Sequence, residues 1–382
     1  MTDVAVIGGG IVGASLCYEL ARQGIAVTLV EAGQLCGGSS GRNAGGIRQQ
    51  FSHPLNVALA RSTTARMATF SDEFGVDIGL HQVGYLFLMS DPARAGAMRE
   101  VVALQNRADV PTRWLSPEEI AALVPGIVVD DLAGGAYCPT DGYLDPHAVV
   151  TGYAAVARAH GATIRQFCGV VGVEVSGDRA SAVVLADGTR LACGTVVNCA
   201  GAWAGEVAGL YGAALPIAPW RSQCFQITGV RLPPDCPMTI DFDHDKAYFH
   251  PEGVGAIAGM DSITESPPVT DPPFDWSKSE SLVEHLMPRM PAFEDARIAG
   301  GWAGLLEITP DENPIVGWTH LANCYTVAGF SGHGLSLAPA LAVAVAAELA
   351  GERPAHDLTP FRPERFAAGT AAPRTPEALA MR

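Results

Sequence analysis

The sequence predicts an α/β fold, in which a lobe built on a parallel sheet joins a smaller, mainly antiparallel lobe. Three observations predict it. A strand, a glycine turn, a helix and a second strand follow one another over residues 4–31. A strand, a glycine turn and a helix recur over 324–349, near the C-terminus. Between them, residues 216–300 are proline-rich and carry short strand-like segments, which suits antiparallel sheet.

The first element, Val4 to Ile7, is an apolar run of the kind a buried parallel strand needs, and it ends in Gly8-Gly9-Gly10-Ile11-Val12-Gly13. This GxGxxG opens a helix-period segment that runs to Arg22, and a second apolar strand ends at Glu31. Together they make a Rossmann-like dinucleotide-binding unit. Gly8 makes the tight turn off the strand, Gly10 lets the backbone approach a pyrophosphate, and Gly13 lets the helix pack on the sheet. The helix N-terminus, at Ile11 and Val12, offers free N–H groups and a positive dipole end to the phosphates. Glu31 lies 18 residues past Gly13, at the end of the second strand, where a carboxylate accepts from ribose hydroxyls.

At 382 residues the chain is long enough for two lobes, each with its own core. It is 48% hydrophobic and 17% charged, which marks a globular chain. With a formal charge of −16, nucleic acid and anionic membranes are disfavoured as partners. The nine cysteines are odd in number and form no CxxC pair, so neither a disulfide frame nor a metal site is expected. The first strand starts by residue 4, leaving no room for a signal peptide. Leu335 to Leu349 is too short to span a bilayer and is interrupted by Pro339 and Glu348. A cytoplasmic protein without an integral membrane segment is expected.

Further elements follow in order. Residues 54–74 read as a helix and Tyr85 to Met89 as a strand. Ser116-Pro117-Glu118-Glu119 is a capping box for a short helix. Asp145-Pro146 opens another helix, to about His160, with the acid as N-cap and proline in the first helical position. Ala162 to Phe167, Val170 to Val175 and Ala182 to Leu185 alternate as strands do, with a turn at Asp187-Gly188, and the run ends in Asn198-Cys199-Ala200-Gly201-Ala202-Trp203. In the proline-rich part, Cys224 to Thr228, Lys246 to His250 and Gly255 to Gly259 read as strands. Cys324 to Ala328, the turn Gly329 to Gly334 and a final helix close the pattern. Neither lobe is expected to be contiguous. Residues 1–80, 146–215 and 318–370 are assigned to the nucleotide-binding domain, 81–145 and 216–317 to the second domain, and 371–382 to a polar tail.

Taken together, the motifs GGGIVG with Glu31, SSGRNAGGIR at 39–48, NCAGAW at 198–203, GWAGLLEITPDENPIVG at 301–317 and GFSGHG at 329–334 identify a family resemblance. The chain resembles the glycine/D-amino-acid oxidase (DAO) family of flavoproteins over nearly its whole length, and within it β subunits of the sarcosine oxidase and proline dehydrogenase type. The resemblance implies FAD as the dinucleotide. It implies that Glu31 and Ala32 hold the adenosine ribose and that Val170 offers its backbone to the adenine. Ser39, Ser40, Gly41, Arg42, Asn43, Gly45, Gly46 and Ile47 would line the pyrophosphate and the flavin. Ala200, Gly201, Trp203 and Gly304 would pass close to the cofactor, and Gly332, His333, Gly334, Leu335 and Ser336 would lie under the pyrimidine end of the ring. A glycine turn that opens a helix has an independent physical use there, because negative charge gathers on the N1–C2=O edge as the flavin is reduced.

For substrate recognition the resemblance points to Arg48, whose fork of donors matches a carboxylate; a structural arginine bridging loops is the alternative. Tyr248 is either a substrate-facing hydroxyl or a packed aromatic, and Trp302 either walls the flavin cavity or fills the core. His333 is an acid–base candidate, although a histidine in a glycine turn is more often structural. Arg221 is read as structural. Departures from the family pattern matter too. Gly304 stands where monomeric sarcosine oxidases carry the cysteine that tethers the flavin, so FAD is expected to bind non-covalently. Ser336 replaces a lysine that helps hold the carboxylate, and no counterpart is found for the lysine that activates oxygen. This tilts the expectation from oxidase to dehydrogenase.

The resulting expectation is FAD-dependent oxidation of the C–N bond of a small amino acid or N-substituted amino acid, of sarcosine, proline or D-amino-acid type. Hydride passes to flavin N5 and an imine is released. The electron acceptor would be O2 or a partner redox protein. Two alternatives stay open: a β-type subunit of a hetero-oligomeric dehydrogenase that needs a partner, and a non-catalytic FAD-containing assembly factor.

Overall fold

The computed structural model describes residues 2–260, 263–264 and 267–367. The expected tail, 371–382, lies outside the described residues. A central sheet runs in the order Ile315–Trp318, Cys324–Ala328, Arg190–Asn198, Thr2–Ile7, Val27–Val30, Thr163–Arg165. Its neighbours pair in parallel except Ile315–Trp318, which is antiparallel to Cys324–Ala328. That strand straddles the domain boundary expected at 318. Every residue of Thr2–Ile7 but Asp3 is buried, as a central parallel strand covered on both faces must be. Arg179–Leu185 and Val170–Ser176 extend the sheet as an antiparallel flap from Arg190–Asn198.

One face of this sheet is covered by the helix Ile11–Arg22, flanked by Pro146–Ala159 and Gly334–Leu349, with Pro54–Ala68 packed on the last. Their apolar faces share one core with Val4, Val6, Leu29, Val197 and Val327 of the sheet. The caps form as the sequence requires. Asp145 accepts from His147 N at 2.8 Å, and Ser116 and Glu119 exchange the two bonds of a capping box.

The second sheet is mainly antiparallel. Its order is Ile263–Thr264, Ala218–Thr228, Gly255–Gly259, Ala247–Glu252, Met238–Asp241, Tyr85–Met89, Gly134–Cys138, Arg113–Leu115. Only the contact between Met238–Asp241 and Tyr85–Met89 is parallel. Here the structure departs from the short strands expected over 216–300. Ala218–Thr228 has 11 residues and pairs throughout with the 12-residue Arg297–Ile308. The expected piece Cys224 to Thr228 is thus the end of a longer ribbon with a register shift at Gln226/Ile227, whereas Ala247–Glu252 and Gly255–Gly259 are short strands as expected.

Three helices lie outside the sequence-based expectations, Pro92–Arg107, Ala204–Gly209 and Lys278–Arg289. The first carries its own start signal, with Asp91 accepting from Ala93 N at 2.8 Å ahead of Pro92. The helix expected at 54–74 breaks at Thr69 into Pro54–Ala68 and Phe70–Phe74. Thr69 turns its hydroxyl onto the Arg66 carbonyl at 3.3 Å, a local bond that competes with the helical ladder. All nine cysteines are buried thiols. Among the described residues no helix is long and apolar enough to cross a membrane.

The tightest contact in the first lobe is at Gly13, where a Cβ would lie 1.9 Å from the Gly8 carbonyl oxygen. Gly13→Ala is therefore expected to destabilise the protein by roughly 1–3 kcal/mol, the range for overpacking, despite alanine's better helix propensity. Urea denaturation checks this, and an unchanged midpoint would contradict the close-packing argument.

Candidate functional site

The turn after Thr2–Ile7 is shaped for a ligand with close backbone contact. Gly8 has φ of +110°, and Gly10 is the N-cap of Ile11–Arg22 without a side-chain cap or an acid in the first turn. That helix end therefore keeps its positive dipole and free N–H groups for an anion. Ile11 N donates to Ser40 Oγ at 2.9 Å, so the loop that follows the second strand already touches the helix start. Glu31 stands at the end of Val27–Val30, where its two carboxylate oxygens accept from Gly9 N at 2.6 Å and Gly33 N at 2.7 Å. These bonds fix the carboxylate and leave further lone pairs for hydroxyls. Ala32 packs under Gly169, which brings Val170, at the start of its strand, beside the Glu31 turn.

The loop 36–48 is held by its own polar side chains. Asn43 accepts from Gly45 N at 2.6 Å and donates to Ser40 O at 2.6 Å, while Gly45 takes φ of +73°. Ser39 Oγ donates to Leu305 O, and Arg42 Nη1 donates to Ala303 O at 3.1 Å. A Cβ on Gly304 would lie 2.7 Å from Arg42 Cβ, so glycine there lets the loop lie directly on Arg297–Ile308. Gly41 is likewise closed in, against the Cys36 carbonyl. Gly38 faces the Trp203 ring, and Gly8 faces the Cys199 carbonyl and Ala200, so the NCAGAW turn joins the same group. Gly201 there has φ of +55°.

Gly46 and Ile47 pair with Tyr143 and Gly142 and lead into Arg48 at the wall of a cavity of about 720 Å³. Arg48 is only 7% exposed. Its guanidinium lies 4.1 Å from the Phe51 ring centroid and 5.4 Å from that of Phe87, where cation–π attraction offsets part of its lost hydration. Nη1 donates to Gln50 O, and Nη2 meets His333 Nε2 at 3.0 Å. Burial, reinforced by the Arg48 and Lys246 cations, pushes His333 well below its ordinary pKa. The neutral ring then accepts at Nε2 from the guanidinium, which places its proton on Nδ1.

The wall beside Arg48 comes from the turn after Cys324–Ala328. Gly332, His333 and Ser336 line the cavity at the start of Gly334–Leu349, and Ser336 Oγ accepts from Arg48 N at 3.1 Å. Leu335 faces the helical core. The helix has no acid in its first turn, so its positive end stays uncompensated. The turn is pinned by Glu307, a buried carboxylate that accepts from Gly329 N at 2.8 Å. Burial raises the Glu307 pKa to about 7, although the bonds from Gly329 and Phe330 pull the other way.

Two candidates stand apart from this cavity. Tyr248 is absent from its wall; the hydroxyl meets Cys224 Sγ at 3.2 Å and fills the space over Gly259. Tyr248 shares a sheet face with Ile240 and Phe87 on the neighbouring strands, and its hydroxyl is taken up by the Cys224 thiol. Tyr85 and Phe87, two residues apart on Tyr85–Met89, take the wall instead. Trp302 is also off the wall, with its indole Nε1 buried and unpartnered. Arg221 reaches the Pro273 carbonyl at 3.3 Å. Lys246, expected only as the start of a strand, also lines the cavity. Its signal was available: Lys246 and Lys278 are the only lysines in the sequence. Glu307 offered one too, as a lone acid inside an apolar strand.

Comparison with known proteins agrees with this arrangement. The chain is 30% identical over 395 residues to FAD-dependent oxidoreductase domain-containing protein 1 of Xenopus laevis, covering 90% of this chain and 78% of that protein. It is 27% identical to glycine oxidase of Geobacillus kaustophilus, covering 94% of this chain and 96% of the enzyme. The crystal structure of L-proline dehydrogenase from P. horikoshii superposes with a TM-score of 0.89 at 31% identity, covering 96% of this chain and 97% of that one. The family model of DAO, FAD dependent oxidoreductase, matches residues 3–348. With the match running from the first strand to the end of the last long helix, the chain belongs to the DAO family of FAD-dependent oxidoreductases.

Proposed function

We infer that this chain oxidises the C–N bond of a small amino acid or N-substituted amino acid whose carboxylate is held by Arg48, with an imine as product. The observation that carries the reading is the position of Arg48: a buried, oriented guanidinium in the same cavity as the glycine turn that opens Gly334–Leu349. Names of relatives point the same way, since glycine oxidase and L-proline dehydrogenase both take small amino acids.

The cradle fits FAD on its own features. Positions 8 and 13 have no room for a Cβ, Gly10 lies under the Ser40 hydroxyl, the helix behind them has an uncapped positive end, and Glu31 is already oriented by two amides. Those residues, the loop 39–47 and the turns at 200–203 and 332–336 would hold the cofactor. When bound, FAD supplies the hydride acceptor. Non-covalent binding remains the reading, with Gly304 offering no nucleophile.

The chain's own residues do the rest. Arg48 presents parallel donors to a carboxylate and is held in direction by Gln50 and His333. Neutral His333 accepts from the guanidinium and adds no second buried charge beside it. Tyr85 and Phe87 exclude water along one wall; the Tyr85 hydroxyl stays protonated, its pKa pushed up to about 12 by burial. A substrate bound as the neutral amine needs no strong base for hydride loss. The positive end of Gly334–Leu349 favours negative charge on the side of the cavity where it opens. Whether electrons pass to O2 or to a partner redox protein is read in the same experiment as the substrate.

Anaerobic mixing of the flavin-loaded protein with separate amino acids and N-methyl amino acids is expected to bleach the flavin absorbance with at least one of them. Admitting air afterwards separates oxidase from dehydrogenase; a flavin that no such amine bleaches would sink the reading. Arg48→Met is expected to weaken binding of that substrate about tenfold to hundredfold, as loss of charged hydrogen bonds does, with flavin content retained. Affinity equal to wild type in a titration of that variant would rule out the carboxylate clamp.

Glu307 sets a pH dependence. Its folded pKa lies near 7, above the ordinary carboxylate value of 4.5, so the native state binds the extra proton between those values. That contribution is full below about pH 4.5 and is lost as pH rises through 7, a change on the order of 3 kcal/mol. Glu307→Gln should flatten this fall in thermal midpoint between pH 5 and 8; parallel curves for the two proteins would contradict it.

A further inference from the structure

Asp141 takes no part in the site described above, yet it is completely buried one residue before the strand Gly142–Tyr143. The two-residue ladder pairs Gly46 with Tyr143 and Ile47 with Gly142, so the next position brings Arg48 and Asp141 to the same end. There the ladder stops. Arg48 N turns to Ser336 Oγ at 3.1 Å, and the Asp141 carboxylate takes over the segment that follows.

Its Oδ1 accepts from Gln49 N at 2.9 Å and from Gln49 Nε2 at 3.0 Å, and its Oδ2 accepts from Gln50 Nε2 at 3.3 Å. The Gln50 amide also donates to Tyr85 O at 2.9 Å, while the Asp141 carbonyl accepts from Gly84 N at 2.9 Å. The carboxylate is therefore tied to the cavity strand Tyr85–Met89 on one side and to the 48–51 turn on the other. That turn aims the Gln50 carbonyl back at Arg48 Nη1 and sets the Phe51 ring under the guanidinium.

We propose that Asp141 is a positioning residue, which sets the carboxylate affinity of Arg48 by holding the Gln49–Gln50 turn in the conformation that orients the guanidinium. The inference rests on the Arg48 reading above. The chemistry demands an acceptor at this point. The N–H groups of Gln49 and Gln50 and the Cys138 thiol all act as donors toward this carboxylate, so an amide of the same shape would turn its own donors onto at least one of them. Burial of a carboxylate on amide donors is costly, and its pKa rises to about 6. A segment that needed packing alone would have no use for the charge.

The test titrates two unreactive carboxylates, acetate and benzoate, into the flavin-loaded full chain while the flavin absorbance is followed. Wild type, Arg48→Lys, Asp141→Asn and the double variant are compared, with flavin content and denaturation midpoint measured alongside. Asp141→Asn is expected to weaken both carboxylates about tenfold or more in the flavin-loaded fraction, as a small misplacement of a binding group does. On the Arg48→Lys background the same change should add little, because it acts through the arginine. Unchanged affinity with only a lower midpoint would overturn the proposal and leave Asp141 a structural role. A loss that repeats in full on the Arg48→Lys background would overturn it too. If Arg48→Lys itself binds as wild type, the clamp reading fails, and with it the proposal; the single variant thus tells the two failures apart. Should Asp141→Asn yield no flavin-loaded protein, Gln50→Met removes the linking donor and leaves the carboxylate. A several-fold loss of affinity in that variant supports the proposal, and wild-type affinity overturns it.

Discussion

Gly8 lies so close to the end of Arg190–Asn198 that a Cβ on it would be 2.4 Å from the Cys199 carbonyl oxygen, while Gly13 presses on Gly8 from the other side. Three backbones can meet there only because side chains are missing. The strand Thr2–Ile7 ends between Arg190–Asn198 on one side and Val27–Val30 on the other, and its own connection leaves toward Val27–Val30. That divergence opens a crevice at the carboxyl ends of the strands, the place where doubly wound sheets bind ligands. The loop 36–48 and the NCAGAW turn meet these glycines and the helix start, and the 329–334 turn, held by Glu307, brings Gly334 against Ile11.

The second constraint is electrostatic. An arginine that is 7% exposed has lost most of its hydration, and its replacement partners have to be assembled from distant parts of the chain. Gln50 supplies a carbonyl, Phe51 and Phe87 supply aromatic faces, and His333 supplies a ring nitrogen kept neutral by burial first and by the nearby cations second. Ser336 holds the Arg48 backbone, so the last long helix and the loop before the second lobe share one anchor. The result is a polar cluster in which few positions are free to vary independently.

The two long strands Ala218–Thr228 and Arg297–Ile308 explain how the lobes stay in register. Their ribbon runs from the second sheet to the loop 36–48, where Leu305 O takes the Ser39 hydroxyl and Ala303 O takes Arg42. Glu307 then reaches from the same ribbon to the Gly329 amide. One element thus touches both the loop and the turn. A long antiparallel ribbon is a stiff spacer for that purpose, because alternate residue pairs along its whole length are tied by cross-strand bonds.

What the sequence determined by itself was everything governed by local rules. The glycine spacing at 8, 10 and 13, the acid at 31, the caps at 116 and 145 and the glycine turn before Gly334 each follow from backbone geometry within a few residues. The five motifs carried the family for the same reason. Positions that depend on which face of a strand looks inward were not legible. Tyr248 was a candidate and is packed on Cys224, whereas Tyr85, Phe87 and Lys246 reached the cavity wall. Long-range partnership was invisible as well, since Asp141 and Glu307 gain their roles only when strands 90 or more residues from Gln49 and 22 residues from Gly329 are folded against them. Only the tertiary structure could decide these, because a side chain's environment in a sheet is set by register and pairing, and register is fixed by contacts between segments remote in sequence.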